Sequence, residues 1–298
     1  MTAFLTIFSA PKPFTDPHIA IIQRNAITSW TKLQDVEVIL MGSEPGLAEM
    51  ASELGIKHIQ DIPRSPSGAP RMDAMLRLAR EKSPSQLYCI VNADIILFPS
   101  LVQSARQVLD RKKKFVLLGQ RWDMEINTPL DFQPTQGDWA SQLLSETQAR
   151  GQLHRPAGSD YFLFPDSCYK EIPPFIIGRA GWDNWMIYHA RKNRFPAIDA
   201  TEDIMIVHQN HDYAHLPGGQ PHYKHPETDE NVGLAGGRVV TRFTLLDTDY
   251  RLDGGRILPQ KMDAARLWRR IEAWPLLVLG SKRISNALWR LRKWLHLA

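Results

Sequence analysis

Short, unbroken apolar runs alternate with amphipathic stretches along the first 120 residues, and this alternation constrains the fold more than any other feature. FLTIFSA (4–10), VEVILMG (36–42), IKHIQDI (56–62), LYCIV (87–91) and KFVLLGQR (114–121) read as strands. Between the first two, Ile19, Ile22, Ala26, Trp30 and Leu33 fall at helical spacing behind Pro17. Leu47, Met50, Ala51 and Leu54 form a second helical face that Gly55 closes, and Met72, Met75, Leu76 and Ala79 form a third. Strands that are apolar throughout must be covered on both faces. The pattern therefore predicts an α/β fold with a mostly parallel sheet sandwiched by helices. Such folds bind ligands at the carboxyl ends of their strands.

One strand end stands out. LYCIV runs into Asn92-Ala93-Asp94, and apolar residues resume at once. A buried carboxylate without a partner is costly, so Asp94 requires a cation or strong hydrogen-bond donors. It reads either as a cap for the helix starting near Pro99 or as a metal ligand. Other polar groups occupy comparable places. Ser9-Ala10-Pro11 follows the first strand, Arg71 starts the third helix, and Asp160 and Tyr161 open the strand in GSDYFLFP (158–165). Trp182-Asp183-Asn184-Trp185 begins a helix. His208 ends the strand Ile204–Val207, with His211, Asp212, Tyr213 and His215 beyond it. A carboxylate and a histidine, completed by diphosphate oxygens and water, suit Mn²⁺ or Mg²⁺. Zn²⁺ fits less well, because no cysteine or paired-histidine spacing supports it.

The order of these segments resembles the GT-A-fold glycosyltransferases, which use nucleotide-diphosphate sugars. NADIIL (92–97) stands where that family carries an acidic Asp-x-Asp motif, with Asp94 as the second acid and Asn92 in place of the first. GWDNW (181–185) resembles the family's Gly-Trp-rich segment at a helix start, and Asp183 takes the position of its catalytic base. His208 resembles the C-terminal histidine that completes the metal site. The resemblance covers about residues 3 to 245. It implies metal-dependent, inverting transfer of a sugar, with a UDP-sugar favoured, to a glycan or lipid-linked acceptor. Asp94 and His208 are the implied metal ligands, with His211 as second choice. Ser9, Ala10, Pro11, Arg71, Asn92 and Asp94 are the implied donor contacts. Asp160, Tyr161, Trp182, Asn184 and Trp185 are the implied sugar or acceptor contacts, the tryptophans as an apolar wall. Asn184 has a second reading, as a helix cap.

Composition separates the rival classes. A sugar-phosphate nucleotidylyltransferase shares the sheet but needs a Gly-rich basic loop after the first strand, and SAPKPFTDP has no glycine and one lysine. Neither a dinucleotide fingerprint nor a Walker loop is present. A non-catalytic, membrane-associated scaffold of the same fold stays open, since Asn92 replaces an acid and no glutamate precedes Asp183. The net charge of +4 is unevenly spread: residues 261–298 hold nine Lys/Arg against two Asp/Glu. The body is therefore slightly acidic, which argues against a nucleic-acid partner. Two cysteines suit a reducing, cytoplasmic setting, and the N-terminus reads as a strand rather than a leader. We expect a catalytic domain over 1–260 and a basic helical extension over 261–298. In that extension Ile284, Ala287, Leu288, Leu291 and Leu295 share one face, amid Lys282, Arg283, Arg290, Arg292 and Lys293. This pattern predicts a helix at the inner face of an anionic membrane, or else one packed on the domain with a solvated basic face.

Overall fold

The computed structural model describes residues 3–133, 138–157, 159–211 and 225–295. The chain opens with β1 (Leu5–Ser9), α1 (Pro17–Thr31), β2 (Val36–Met41), α2 (Leu47–Leu54), β3 (Lys57–Ile59) and α3 (Met72–Lys82). It continues through β4 (Leu87–Val91), β5 (Ile95–Leu97), α4 (Ser100–Leu109), β6 (Val116–Leu118), β7 (Trp122–Met124), α5 (Trp139–Arg150), β8 (Gln152–Leu153) and β9 (Tyr161–Pro165). Then come α6 (Trp182–Lys192), β10 (Ala197–Asp199), β11 (Ile206–Gln209), α7 (Pro226–Leu234), β12 (Tyr250–Asp253), β13 (Arg256–Pro259), α8 (Ala264–Leu279) and α9 (Lys282–Trp294).

Local chemistry sets the early boundaries. The Asp16 side chain accepts the Ile19 N–H at 2.9 Å and Pro17 takes the first helical position, so α1 starts where its free donors are satisfied. Gly55 ends α2 in the left-handed region, with φ 63°.

Among the described residues nine strands form one sheet in the order β13-β12-β10-β6-β9-β4-β1-β2-β3. β1, β2, β3 and β4 run parallel, as do β6, β10 and β12. Helices cover both faces. Met72, Met75, Met186 and Leu276 of α3, α6 and α8 pack on one side. Ile27, Trp30, Met50 and Leu101 of α1, α2 and α4 pack on the other.

The sheet departs from the expected pattern at its centre. β9 lies antiparallel between β4 and β6, with Val91 opposite Tyr161 and Leu87 opposite Pro165. A second sheet, β5-β11-β7-β8, covers a small core of Ile96, Phe98, Met124, Leu143 and Val207. Asp94 therefore sits in the turn where the chain leaves the large sheet for the small one.

The C-terminal helices are fastened to the body. Ala273 and Leu276 of α8 enter the core. Buried Arg269 pairs with Asp247 at 3.0 Å and with Glu272 at 2.7 Å.

Candidate functional site

Three strand pairings assemble the site. β11 places His208 opposite Asp123 of β7 on one side and opposite Ile95 of β5 on the other. The Gln209 N–H donates to the Asp94 carbonyl at 3.2 Å, which holds the turn against β11. The antiparallel entry of β9 brings Asp160 beside Asn92, whose backbone N–H donates to the Asp160 carbonyl at 3.0 Å.

Asp94, His208 and His211 converge, with ligand atoms within 4.8 Å of one another. Asp94 Oδ2 lies 3.2 Å from His211 Nε2 and 4.0 Å from His208 Nε2. Burial works to raise the Asp94 pKa, but the His211 hydrogen bond and the charges of His208 and Lys12 hold it well below the usual carboxylate range. Burial works to lower the His208 pKa, and Asp123 and Asp94 raise it nonetheless. The donor set fits a divalent cation by a second criterion. Among the described residues Asp94 Oδ1 is buried without a hydrogen-bond partner, which is the condition of an oxygen awaiting one.

A frame of charged groups supports this centre. Asp123 takes the His154 Nδ1 at 2.6 Å through Oδ2 and the Arg121 Nε–H at 2.8 Å through Oδ1. The same Oδ1 lies 3.2 Å from His208 Nδ1. Arg121 also donates to both Asp160 oxygens, at 3.0 and 3.1 Å. Asn92 Nδ2 donates to Asp160 Oδ1 at 2.8 Å. This explains why an amide stands where an acid was expected. An acid at position 92 would face the Asp160 carboxylate at hydrogen-bond distance, so the amide joins the frame instead.

Asp183 stands in the first turn of α6, behind Gly181, which caps the helix in a left-handed conformation. The Gly181 N–H donates to Asp183 Oδ1 at 3.2 Å. Burial pushes the Asp183 carboxyl up to about 6, backbone N–H groups oppose the rise, and the Asp160 charge adds to it.

Several expected contacts take other places. Trp182 and Trp185 are 6% and 7% exposed and pack on Phe162 and Phe175, so they are core rather than a sugar wall. Tyr161 is wholly buried on the side of α1 and α4, because a strand sends successive side chains to opposite faces. Asn184 Nδ2 donates to the Phe243 carbonyl at 2.7 Å, so it does not cap α6. Arg71 is held by the Pro174 carbonyl and by Glu230 rather than standing free for a diphosphate. Ser9 Oγ donates to the Val91 carbonyl at 2.6 Å and ties the ends of β1 and β4 together, while Ala10 is partly buried and Pro11 buried beside it. Asp212, Tyr213 and His215 lie outside the described residues.

Lys12, Arg121, Asp123 and His154 were not legible as site residues. Lys12 Nζ reaches to 3.5 Å from His211 Nε2, and its burial lowers its pKa although the Asp94 charge opposes this. The available signals were a lysine just after the first strand and a carboxylate inside the short run Trp122–Met124.

No family model matches this sequence, and no curated protein matches it. Its fold is similar to solved structures. The mannosyltransferase PcManGT from Pyrobaculum calidifontis, in complex with GDP-Man and Mn²⁺, is 11% identical with a TM-score of 0.43, over 70% of this chain and 57% of that one. The chain thus spans just over half of that protein's length. S. aureus TarS 1-349 in complex with UDP-GlcNAc is 11% identical with a TM-score of 0.44, over 96% and 78%. M. tuberculosis glucosyl-3-phosphoglycerate synthase is 11% identical with a TM-score of 0.46, over 79% and 82%. These are likenesses of coarse fold, and the chemistry of the site is read from its own side chains.

Proposed function

We propose that the chain is a glycosyltransferase that moves a sugar from a nucleoside-diphosphate donor to an acceptor hydroxyl. The observation that carries this reading is a convergent Asp94–His208–His211 set, with one Asp94 oxygen that no described residue bonds, together with a second carboxyl, Asp183, raised to about 6. Asp94, His208 and His211 would hold Mn²⁺ or Mg²⁺, which when bound neutralises charge on a leaving diphosphate. Asp123 orients His208 from behind, and such support commonly changes metal affinity about 10–100-fold. Lys12, rather than Arg71, supplies the further positive contact to the diphosphate.

A sugar hydroxyl is a weak nucleophile and must lose its proton as it attacks. Asp183 is the group to accept it, since a base works best with a pKa near the working pH. One carboxylate raised into that range suits direct displacement with inversion. We retain a glycan or lipid-linked hydroxyl as the acceptor class and a UDP-sugar as the favoured donor.

The test is calorimetry of UDP and GDP binding with and without Mn²⁺, together with hydrolysis of a panel of nucleotide sugars. Wild type should bind one diphosphate in a Mn²⁺-dependent way, and Asp94→Asn should lose that dependence while keeping its fold. Absence of nucleotide binding by wild type under all conditions would favour the non-catalytic scaffold.

A further inference from the structure

Ten of the eleven large exposed apolar side chains among the described residues lie between Met262 and Leu295. They are not scattered. Leu267, Ile271, Trp274 and Val278 recur at helical spacing on α8, and Ile284, Leu291 and Leu295 do so along α9. The inward faces of both helices include polar and charged groups. On α8, buried Arg269 and Glu272 stand among buried Ala273, Pro275 and Leu276. On α9, Ser285 Oγ donates to the Glu272 carbonyl at 2.6 Å, and Arg292 pairs with the Glu272 carboxylate at 2.6 Å. The Arg242 guanidinium stacks 4.0 Å from the Trp289 ring. An amphipathic helix on a soluble surface normally buries its apolar stripe. α8 already buries one apolar face against the body, and both helices still present a further apolar stripe outward, an arrangement that calls for an external apolar phase.

Charge identifies that phase. After Asp263, the N-cap of α8, the one remaining acid is Glu272, and it is buried. The outward surface is left with exposed Arg270, Arg283, Arg290 and Lys293. Trp274 and Trp294, 53% and 75% exposed, are the aromatic type that settles at a membrane–water boundary. No helix among the described residues is long and apolar enough to cross a membrane.

We propose that α8 and α9 form a docking surface for an anionic lipid bilayer. The outward stripe enters the boundary between headgroups and acyl chains, and the basic side chains meet lipid phosphates. The surface is independent of the sugar-transfer reading, since neither helix contributes a residue to the Asp94–Asp183 site. Only α9 was foreseen as the membrane element. The structure adds α8 and shows why the pair faces outward.

The test is flotation of the full chain with vesicles of phosphatidylcholine containing one-third phosphatidylglycerol, and with phosphatidylcholine alone, at low and high salt. The expected result is salt-sensitive binding to the anionic vesicles. Trp274→Glu with Leu291→Glu should abolish it and leave circular dichroism unchanged, because both positions are exposed. Arg283→Ser with Arg290→Ser should weaken it roughly 30-fold, from about 1 kcal/mol per basic residue. The proposal is overturned if wild type ignores anionic vesicles or if both double variants bind like wild type. It is also overturned if sedimentation shows a dimer that the apolar variant dissociates while vesicle binding persists, since the face would then serve a second copy.

Discussion

Asp183 combines two demands that conflict. A base must be ionised to work, and a buried site resists ionisation. With its pKa raised to about 6, the carboxylate form prevails at neutral pH at some cost to the fold. A group whose folded pKa is raised contributes stability below its unfolded value and loses it as pH rises through the folded value. Asp183 therefore supports the fold in acid and ceases to between pH 4 and 6, approximately. Asp183→Asn should remove turnover, keep diphosphate affinity, and raise stability at pH 7 by about 1–2 kcal/mol, less than the full shift implies because the side chain is only partly buried. Turnover of the wild type should climb with pH through about 6. A flat profile there would remove Asp183 from the role of base. At position 92 the prediction has the opposite sense. Asn92→Asp places a new carboxyl against Asp160 and should cost about 1–3 kcal/mol at neutral pH. The new acid's folded pKa is raised, so the loss should shrink on acidification. Thermal unfolding of the variant at pH 5 and pH 7 checks this.

At the scale of elements, α6 depends on one glycine. Gly181 has φ 109°, and a Cβ there would meet Thr241 Cγ2 at 3.2 Å. Gly181→Ala should destabilise by about 1–3 kcal/mol, because the left-handed conformation is strained for alanine. It should also lower turnover more than it weakens diphosphate binding, since the shift falls on Asp183 and not on Asp94. Unfolding and kinetics on the one variant separate the two effects. The small second sheet shows the same economy. Strands of two to four residues suffice because β7 and β11 carry Asp123 and His208 in register and cover the core around Met124 and Val207.

On the scale of the whole molecule, Glu272 joins the C-terminal helices to the body. It is 2% exposed and lies between Arg269 at 2.7 Å and Arg292 at 2.6 Å, while Arg269 reaches back to Asp247. Removing one member of such a buried set strands the others. Glu272→Ala should cost about 3–5 kcal/mol. It should also release α9, seen as lost helicity and as new proteolysis near Gly280. If the variant melts like wild type with α9 protected, the ion-pair set is not what holds the helices. Substitution of Trp274 should have no such effect, because its side chain is more than half exposed.

Periodicity is a local property, and what depended on it could be read from the chain alone. The first five strands and three helices of the large sheet followed from runs and spacings of apolar residues. Pro17 and Gly55 marked helix ends, and a carboxylate in an apolar context pointed to Asp94 at a strand end. The structure brings Asp94 together with both histidines that the sequence singled out. Partners distant in sequence could not be read in this way. The antiparallel placement of β9, which sets Asp160 beside Asn92, is a choice among pairings that the strand's own residues do not distinguish. Arg121, Asp123 and His154 look like ordinary polar residues until the second sheet brings them behind His208. Trp182 and Trp185 are large and amphipathic, and only packing decided that they belong to the core. The tail shows the division most plainly. Its amphipathic spacing was visible in the residues, but which face turned inward depended on partners distant in sequence: Ala273 and Leu276 enter the core, and beside them Arg269 meets Asp247 while Glu272 meets Arg292.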